Sequence, residues 1–469
     1  MQFFIVITFE IVYNYTVIGG INMKFERKIY EKLLEWKNSP VKNSALLIEG
    51  ARRVGKSTIV EEFAKKEYED YIMIDFMYET DEMKDLFKDL KNLDMFFSNF
   101  FLLAGKTIKP GSLIIFDEIQ FCPLARQGIK KFVQDGRYDY IETGSLLSIR
   151  DNTDGISIPS EERRIEMFPM DYEEFLWAFG DYSTASLLRN VYSGNTSINM
   201  GTHETLLKNF RLYMALGGMP KVVSIFQETN SYMEAEKEKE DIIKLYKDDL
   251  LKHDRKYNTN CRVLYDNLAS ELMKDNSRFI IKSTDNNRSK QIEESIYDLN
   301  DSKIAMTCYK CTEPMYGLEL SKTAGLFKLY SCDSGLLLTN IYKERNLSKE
   351  EVYKKIMFGK INSNFGKIFE SIVMQTLVTN GLCPYYHTFT LKDGEKDKRY
   401  EIDFMVEIGS KVAAIEVKSG SNFTTSSLDK LKEKYIQLKF NKYIISNKAF
   451  RRENDRVWLP IYMAFCLGN

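Results

Sequence analysis

The sequence is poor in the residues that bind transition metals or build disulfide frameworks. It contains three histidines in 469 residues, and its seven cysteines are odd in number and scattered along the chain. Such a set is not typical of a disulfide framework. Cys308 and Cys311 form one C-x-x-C pair, but a tetrahedral zinc site needs two further ligands at short spacing. We therefore expect ordinary reduced thiols rather than a zinc site.

An excess of one charge and a long uninterrupted apolar run are also absent. The formal net charge is −1, so composition predicts no nucleic-acid or membrane surface, although a basic patch can lie inside a balanced total. Residues 1–22 are rich in apolar and β-branched residues, but Glu10 interrupts them and no basic segment or cleavage site marks a signal peptide. We predict an N-terminal extension over 1–22, with Met23 as an alternative start. We expect a cytoplasmic protein that does not interact with membranes.

Short apolar strands alternate with helices in residues 23–169. The predicted strands are 45–49, 71–75, 112–117 and 138–142, and the predicted helices are 24–37, 58–66, 81–104 and 124–135. This alternation predicts an α/β fold in which a parallel sheet is covered by helices on both faces. The length of the chain predicts further domains after it.

Three further regions are predicted beyond residue 169. Residues 170–254 are a helical, lid-like region that is interrupted by Gly217-Gly218-Met219-Pro220. Residues 255–345 contain short helices and a hairpin-like stretch, which indicates a winged-helix-like unit. Residues 346–469 return to an α/β pattern, with predicted helices at 364–380 and 426–437 and predicted strands at 400–408, 411–418 and 442–446.

One motif near the start of the first region carries definite chemistry. Residues 50–57, Gly-Ala-Arg-Arg-Val-Gly-Lys-Ser, match G-x-x-x-x-G-K-[ST] at every fixed position, between a predicted strand and a predicted helix. Glycines let backbone N–H groups surround phosphates, and the helix N-terminus favours negative charge. Lys56 is expected to reach the terminal phosphates, and the Ser57 hydroxyl to bind Mg²⁺. The predicted nucleotide-binding residues are Gly50, Ala51, Arg52, Arg53, Val54, Gly55, Lys56, Ser57 and Thr58.

Polar residues at the ends of two later strands complete this predicted site. Asp117 ends an apolar strand and suits the outer shell of Mg²⁺, and Glu118 suits the general base that activates water. Thr143 and Ser145 are candidate sensors of the γ-phosphate, although a simple strand-ending turn is the alternative. The sequence thus predicts a P-loop NTPase sheet that binds ATP with Mg²⁺ and hydrolyses it.

ATP hydrolysis also needs a cation that stabilises the developing negative charge. The sequence offers several arginines and does not choose among them. The candidates are Arg52, Arg53, Arg126, Arg163 and Arg164.

A second group of charged residues lies near the C-terminus. Asp403 is on one predicted strand, and Glu416 and Lys418 are two positions apart on the next, so they point to the same face. The two carboxylates can hold Mg²⁺, and the lysine can position water or stabilise a phosphorane-like transition state. Glu370, on a preceding helix, is a candidate further ligand. This arrangement is typical of restriction-endonuclease-like nucleases; the alternative is a catalytically inactive binding surface.

Taken together, these segments resemble the prokaryotic AAA-type ATPase family that carries a C-terminal domain of unknown function with a restriction-endonuclease-like core. The resemblance implies an ATPase core, a helical and winged-helix middle and a nuclease-like end. Glu162-Arg163-Arg164 departs from the Gly-Arg that such ATPases often carry there, which leaves the arginine finger unassigned. The resemblance rests on residues 50–57, Phe116-Asp117-Glu118-Ile119-Gln120, Thr143-Gly144-Ser145-Leu146-Leu147, Phe168-Pro169-Met170, Glu174-Phe175-Leu176, Gly217-Gly218-Met219-Pro220, Phe327-Lys328-Leu329-Tyr330, Asp333-Ser334-Gly335-Leu336-Leu337, Glu401-Ile402-Asp403 and Glu416-Val417-Lys418.

Two functional hypotheses follow from these patterns. The first is an ATP-driven enzyme that acts on DNA or RNA through the C-terminal carboxylates. The second is an ATP-dependent regulatory switch whose C-terminal domain only binds a partner or a nucleic acid. A kinase or transferase is a weaker third reading, because the Asp-Glu pair favours water as the nucleophile. A homo-oligomer is a candidate assembly, since many ATPases of this broad class complete their site with a neighbouring subunit.

Overall fold

The computed structural model describes residues 25–41, 43–145, 158–194, 196–257, 259–274, 279–280, 286–345, 348–359, 366–393, 396–420 and 423–468. The predicted N-terminal extension lies outside these residues, as do Leu146 and Leu147.

The first sheet is parallel, as the sequence predicts. Its strands are Ala45–Glu49 (β1), Tyr71–Asp75 (β2), Leu113–Asp117 (β3), Asp139–Gly144 (β4) and Glu162–Glu166 (β5). They lie in the order β2-β3-β4-β1-β5. β1 and β3 are buried along their whole length, as expected for apolar strands between two helical layers.

The sequence does not predict β5. Its residues, Glu-Arg-Arg-Ile-Glu, include one apolar side chain, Ile165, which is buried. β5 lies at the edge of the sheet and pairs with β1, and edge strands commonly carry charged residues.

Helices flank this sheet at Ile29–Lys37, Lys56–Glu67, Asp81–Asp85, Leu93–Leu103 and Pro123–Asp135. The single helix predicted over 81–104 is wrong. The backbone becomes extended at Asp89 after a 3₁₀ turn, and the Asn92 side chain accepts a hydrogen bond from Met95 N to begin a second helix. Asparagine is a strong N-cap because its side-chain oxygen satisfies such a free backbone donor.

The next region is helical. Its helices are Tyr172–Ala178, Thr184–Tyr192, Met200–Leu216, Pro220–Thr229 and Tyr232–Tyr257. Gly217 has a φ of 79° and ends the third of them, and Gly218 N donates a hydrogen bond to Asp333 Oδ2 at 2.6 Å. The Gly-Gly step therefore joins the helical region to the middle of the chain.

Gly218 has no room for a side chain. A Cβ atom there would lie 1.9 Å from Met170 O. We expect Gly218→Ala to lower the free energy of unfolding by about 3 kcal/mol or more, because the obstacle is backbone and cannot rotate away. Thermal unfolding tests this. Gly325→Ala is the control, since nothing lies within 4 Å of its Cβ position, and equal stability of the two variants would contradict the prediction.

A second, nine-stranded sheet spans the middle and C-terminal regions. Its strands are Phe279–Ile280 (β6), Ala305–Cys311 (β7), Lys322–Ser331 (β8), Tyr385–Asp393 (β9), Lys396–Ile408 (β10), Lys411–Lys418 (β11), Phe440–Ser446 (β12), Arg451–Glu453 (β13) and Arg456–Pro460 (β14). Their order is β13-β14-β12-β11-β10-β9-β7-β8-β6. Helices Cys261–Leu272, Asn286–Asp301, Ser334–Arg345, Lys349–Met357, Gly366–Thr379 and Ser426–Lys434 accompany it.

This sheet continues across the boundary that the sequence predicts near residue 345. β7 pairs in parallel with β9, with Tyr309 opposite Tyr385. The hairpin of the predicted winged-helix-like unit is thus hydrogen-bonded to the strands that follow it. Such long-range pairing leaves no local signal in the sequence.

The described helices include none that is both long and apolar enough to cross a membrane.

Candidate functional site

Lys56 begins the helix after β1, and its side chain is buried inside the phosphate loop. Its Nζ donates hydrogen bonds to Gly50 O and Ala51 O, both at 3.0 Å. Gly55, just before it, has a φ of 99°, in the left-handed region that favours glycine. Burial lowers the pKa of Lys56 to about 8, and the negative charges of Glu118 and Asp117 oppose this shift. Phosphate oxygens that enter the loop can replace the two carbonyls as partners of the ammonium.

The predicted Mg²⁺-binding residues meet at the ends of the parallel strands. Asp117 Oδ1 accepts a hydrogen bond from Ser57 Oγ at 2.9 Å and a second one from Thr143 Oγ1. Hydroxyl and carboxylate oxygens are the ligands that Mg²⁺ prefers. Ser145 is buried just beyond β4.

Glu118 occupies a strained backbone position beside this cluster. Its φ is 52°, which is uncommon for a residue other than glycine. Glu118 N donates a hydrogen bond to Thr143 Oγ1 at 3.3 Å, and Gln120 Nε2 donates one to Glu118 Oε2. The Glu118 carboxylate is therefore held in one orientation. No sequence pattern assigns this role to Gln120.

A cleft of about 620 Å³ opens in front of the phosphate loop. One wall consists of the loop residues Arg52 to Thr58, except Val54, together with Glu118. Residues from other parts of the chain line the same cleft: Phe25, Arg27, Pro220, Lys221, Ser224 and Leu245. Four of these residues, Pro220, Lys221, Ser224 and Leu245, belong to the helical region.

Arg27 braces the phosphate loop, and the sequence analysis missed it. Its guanidinium donates hydrogen bonds to Val54 O at 2.7 Å and to Phe168 O at 2.6 Å. Its Nε lies 3.2 Å from Glu174 Oε1. Arg27 thus ties the loop to the segment that enters the helical region.

Two of the five candidate arginines, Arg52 and Arg53, line the cleft. Arg52 is ion-paired with Asp249 at 3.0 Å. Arg126 and Arg164 instead pair with Glu162, at 2.7 and 3.0 Å, and Arg163 is exposed on β5.

Buried carboxylates lie next to those two arginines. Burial raises the pKa of Glu142 well above its ordinary value, and the charge of Glu162 adds to the shift. Burial likewise raises the pKa of Glu49 to about 7. Neither oxygen of Glu142 has a hydrogen-bond partner among the described residues, so ionisation of this group disfavours the folded state.

This cluster predicts a loss of stability at alkaline pH. A carboxyl whose pKa is raised by folding contributes its full stability below its unfolded pKa and loses it as the pH rises through the folded pKa. We expect Glu142→Gln to remove part of that loss, so that its melting temperature falls less than that of wild type, by about 2–4 °C, as the pH is raised from below the ordinary pKa of a glutamate into the alkaline range. Glu35→Gln, at an exposed helix position, is the control. Parallel pH profiles for all three proteins would contradict the prediction.

The C-terminal charges also converge. Asp403 on β10 accepts a hydrogen bond from Val417 N of β11 at 2.8 Å, beside an irregularity in the pairing of β10 with β9. Lys418 Nζ lies 2.5 Å from Glu416 Oε2. Burial raises the pKa of Glu416 to about 8, and the charge of Asp403 adds to the shift. The charge of Glu370 acts on both Glu416 and Lys418.

Other residues that the sequence analysis gave no role surround these carboxylates. Lys367 Nζ lies 2.7 Å from Glu370 Oε1, and Tyr330 OH donates a hydrogen bond to Glu370 Oε2 at 3.3 Å. Lys328 Nζ lies 2.7 Å from Glu401 Oε1. The sequence signal for two of them is the Phe-Lys-Leu-Tyr segment, whose alternation puts Lys328 and Tyr330 on one face of a strand.

Three segments of the chain match protein-family models. Residues 42–176 match an AAA domain, residues 207–346 match the domain of unknown function DUF8612, and residues 365–464 match the domain of unknown function DUF4143. The first match, with the geometry of the phosphate loop, defines an AAA-type P-loop ATPase domain, a class that binds and hydrolyses ATP. Along the chain, this AAA-type ATPase domain is followed by the two domains of unknown function.

Comparison with solved structures finds 26 matching chains, which include the following two. The Walker-type ATPase PABY2304 of Pyrococcus abyssi is 14% identical with a TM-score of 0.36, over 68% of this chain and 96% of that one. Protein VC1899 from Vibrio cholerae is 10% identical with a TM-score of 0.16, over 87% of this chain and 90% of that one. No curated protein matches the sequence.

Proposed function

We propose that the protein is an ATP-driven enzyme that cleaves a nucleic acid, DNA or RNA, at its C-terminal carboxylate site. The observation that carries this proposal is the meeting of half-buried Asp403 and Lys418 with the buried Glu416. Oε1 of Glu416 has no hydrogen-bond partner among the described residues, and a buried carboxylate oxygen without a partner is costly. A divalent cation would satisfy it, so the residues fit a Mg²⁺ site.

In the ATPase domain, the roles follow from the contacts of each residue. Lys56 would contact the terminal phosphates, and Ser57 and Asp117 would hold Mg²⁺, which would supply positive charge at the phosphoryl group. Glu118 orients the attacking water and takes its proton, while Gln120 holds the Glu118 carboxylate in place. Thr143 bonds to both Asp117 and Glu118, which suits a sensor that links the metal side of the site to the water side.

At the C-terminal site, Asp403, Glu416 and Glu370 are the proposed cation ligands. A cation held there would polarise the scissile phosphate. Lys418, fixed by Glu416, positions a water oxygen for attack on phosphorus. The new P–O bond forms as the bond to the leaving ribose or deoxyribose oxygen breaks. The attacking water gives its proton to solvent, and the leaving oxygen takes a proton from solvent.

The same residues support proposals for the fold of the later regions. A helix that carries Glu370, followed by strands that carry Asp403 and Glu416, supports a restriction-endonuclease-like core in residues 346–469. Residues 255–345 stay a winged-helix-like proposal. Hydrogen bonding of β7 to β9 supports a single structural unit made of these two regions.

A second candidate is a regulatory switch, in which nucleotide sets conformation or homo-oligomeric assembly and the C-terminal domain only binds. The lining of the cleft favours this candidate. Pro220, Lys221 and Ser224 line the same cleft as the phosphate loop, so a bound nucleotide would lie next to both the ATPase domain and the helical region. This candidate predicts an ATP-dependent change in particle size that is absent in Lys56→Ala. Size-exclusion profiles of both proteins, with and without ATP, test it.

The deciding experiment is a cleavage assay on labelled single-stranded, double-stranded and branched DNA and RNA. Wild type and Asp403→Asn are compared with Mg²⁺ or Mn²⁺, with and without ATP. We expect divalent-dependent cleavage by wild type only, stimulated by ATP. Failure of wild type to cleave any substrate would contradict the nuclease proposal and favour the switch.

A further inference from the structure

Lys328 is a fully buried lysine on β8. It lies in residues 207–346, the segment that matches DUF8612. It belongs to the Phe-Lys-Leu-Tyr stretch, to which the sequence analysis assigned no chemistry. Its Nζ lies 2.7 Å from Glu401 Oε1 and 3.9 Å from Glu370 Oε2. It also lies 5.3 Å from the centre of the Tyr386 ring. Lys328, in the segment that matches DUF8612, therefore reaches carboxylates in the segment that matches DUF4143.

The charges around the site explain why a lysine is tolerated in this position. A buried ammonium is costly unless it is paired. Lys418 pairs with Glu416 and Lys367 pairs with Glu370, whereas Lys328 lies between Glu401 and the second oxygen of Glu370. Tyr330, two positions along β8, donates to that same oxygen. β8 therefore holds one side of Glu370, and the helix of Glu370 holds the other.

We propose that Lys328 is a positioning residue of the carboxylate site: it holds Glu401 away from the cation that Asp403, Glu416 and Glu370 bind, and its charge lies beside Glu370. This inference rests on the proposed function, because it assumes a cation at those three carboxylates. The site is then composite, and the middle region is part of the nuclease rather than a separate unit. The positive charge of Lys328 sets the cation affinity of the site by repulsion, and it keeps Glu401 from becoming a ligand.

Two substitutions should change cation binding in opposite directions. Lys328→Met keeps the length of the stem but removes the charge and releases Glu401, so Mn²⁺ should bind about tenfold more tightly. Glu401→Gln removes the carboxylate that pairs with the Lys328 ammonium, which should then turn towards Glu370. A positive charge closer to Glu370 opposes the cation, so Mn²⁺ should bind about tenfold more weakly. A lysine that only stabilises the fold would lower the melting temperature without shifting Mn²⁺ affinity in either variant.

The readout is Mn²⁺ binding to the full-length protein, followed by the electron paramagnetic resonance signal of free Mn²⁺ and by calorimetry. Asp403→Asn identifies the signal that belongs to this site. Lys322→Met is the matched control, since it removes a lysine from the same strand that pairs with Glu319 at 3.1 Å instead. Melting curves report whether each variant folds. Glu401 has a partly exposed side chain, so Glu401→Gln should fold and can test the inference even if Lys328→Met does not fold.

The outcomes separate this inference from the proposed function. Opposite shifts in Lys328→Met and Glu401→Gln, with Lys322→Met unchanged, support the positioning role. If Asp403→Asn abolishes the Mn²⁺ signal while neither Lys328→Met nor Glu401→Gln shifts it, the positioning role is overturned and the cation site stands. Mn²⁺ binding that Asp403→Asn leaves intact would overturn the cation site itself, and with it both proposals.

Discussion

Lys56→Met is expected to lower ATP hydrolysis by about 10²–10³-fold, the usual cost of removing one group that stabilises transition-state charge. The Lys56 ammonium is the cation that ends inside the phosphate loop, 3.0 Å from two of its carbonyl oxygens. Methionine keeps much of the length of the side chain but cannot contact phosphates. Phosphate release under saturating ATP measures the effect, and binding of a fluorescent ATP analogue shows how much of the loss arises at the binding step.

Loss of activity in this variant should not come from unfolding. Burial lowers the pKa of Lys56, which means that burial disfavours its charged form. Relief of this cost offsets the loss of the two hydrogen bonds to Gly50 O and Ala51 O, so we expect the melting temperature of Lys56→Met to change little. Lys66→Met is the control, because Lys66 lies on the same helix with an exposed side chain. Wild-type hydrolysis in Lys56→Met would mean that ATP is hydrolysed at another site.

The ATPase half of the site could be predicted because its signals are local. The phosphate loop is one continuous motif, and Asp117 and Thr143 end neighbouring parallel strands, whose carboxyl ends meet at one edge of a sheet. The contacts of Asp117 with Ser57 and Thr143 agree with that expectation. A local pattern was enough here because parallel pairing of neighbouring strands brings the residues at their carboxyl ends together.

The residues that the sequence did not predict come from distant segments. Arg27 and Lys221 reach the ATP cleft by tertiary packing of the first helix and of the helical region, and neither lies in a recognisable motif. Lys328 looks like an ordinary strand lysine, and its burial depends on Glu370 and Glu401, which follow it in the chain. Because a sequence pattern reports periodicity and not partners, it cannot distinguish a buried, paired lysine from an exposed one.

Asp403→Asn is the second substitution with a large expected effect, a loss of about 10²–10³-fold in divalent-dependent cleavage. Asparagine preserves the size of the side chain and the acceptor that bonds to Val417 N, so the strands should keep their register. What disappears is a negative charge next to Glu416, and with it one of the proposed carboxylate ligands of the cation. Cleavage under saturating Mg²⁺, compared with Asp397→Asn at an exposed position of the same strand, measures the effect.

The pH dependence gives this variant a second signature that simple misfolding would not produce. Burial raises the pKa of Glu416 to about 8 and Asp403 adds to the shift, so wild-type cation binding should strengthen as the pH rises through about 8 and Glu416 loses its proton. Asp403→Asn removes the second cause, and the pKa of Glu416 should fall towards its ordinary value. Whatever Mn²⁺ binding survives should therefore reach its plateau at lower pH than in wild type. An unchanged pH midpoint would show that Asp403 and Glu416 do not act on the same cation, and the composite carboxylate site would lose its chemical basis.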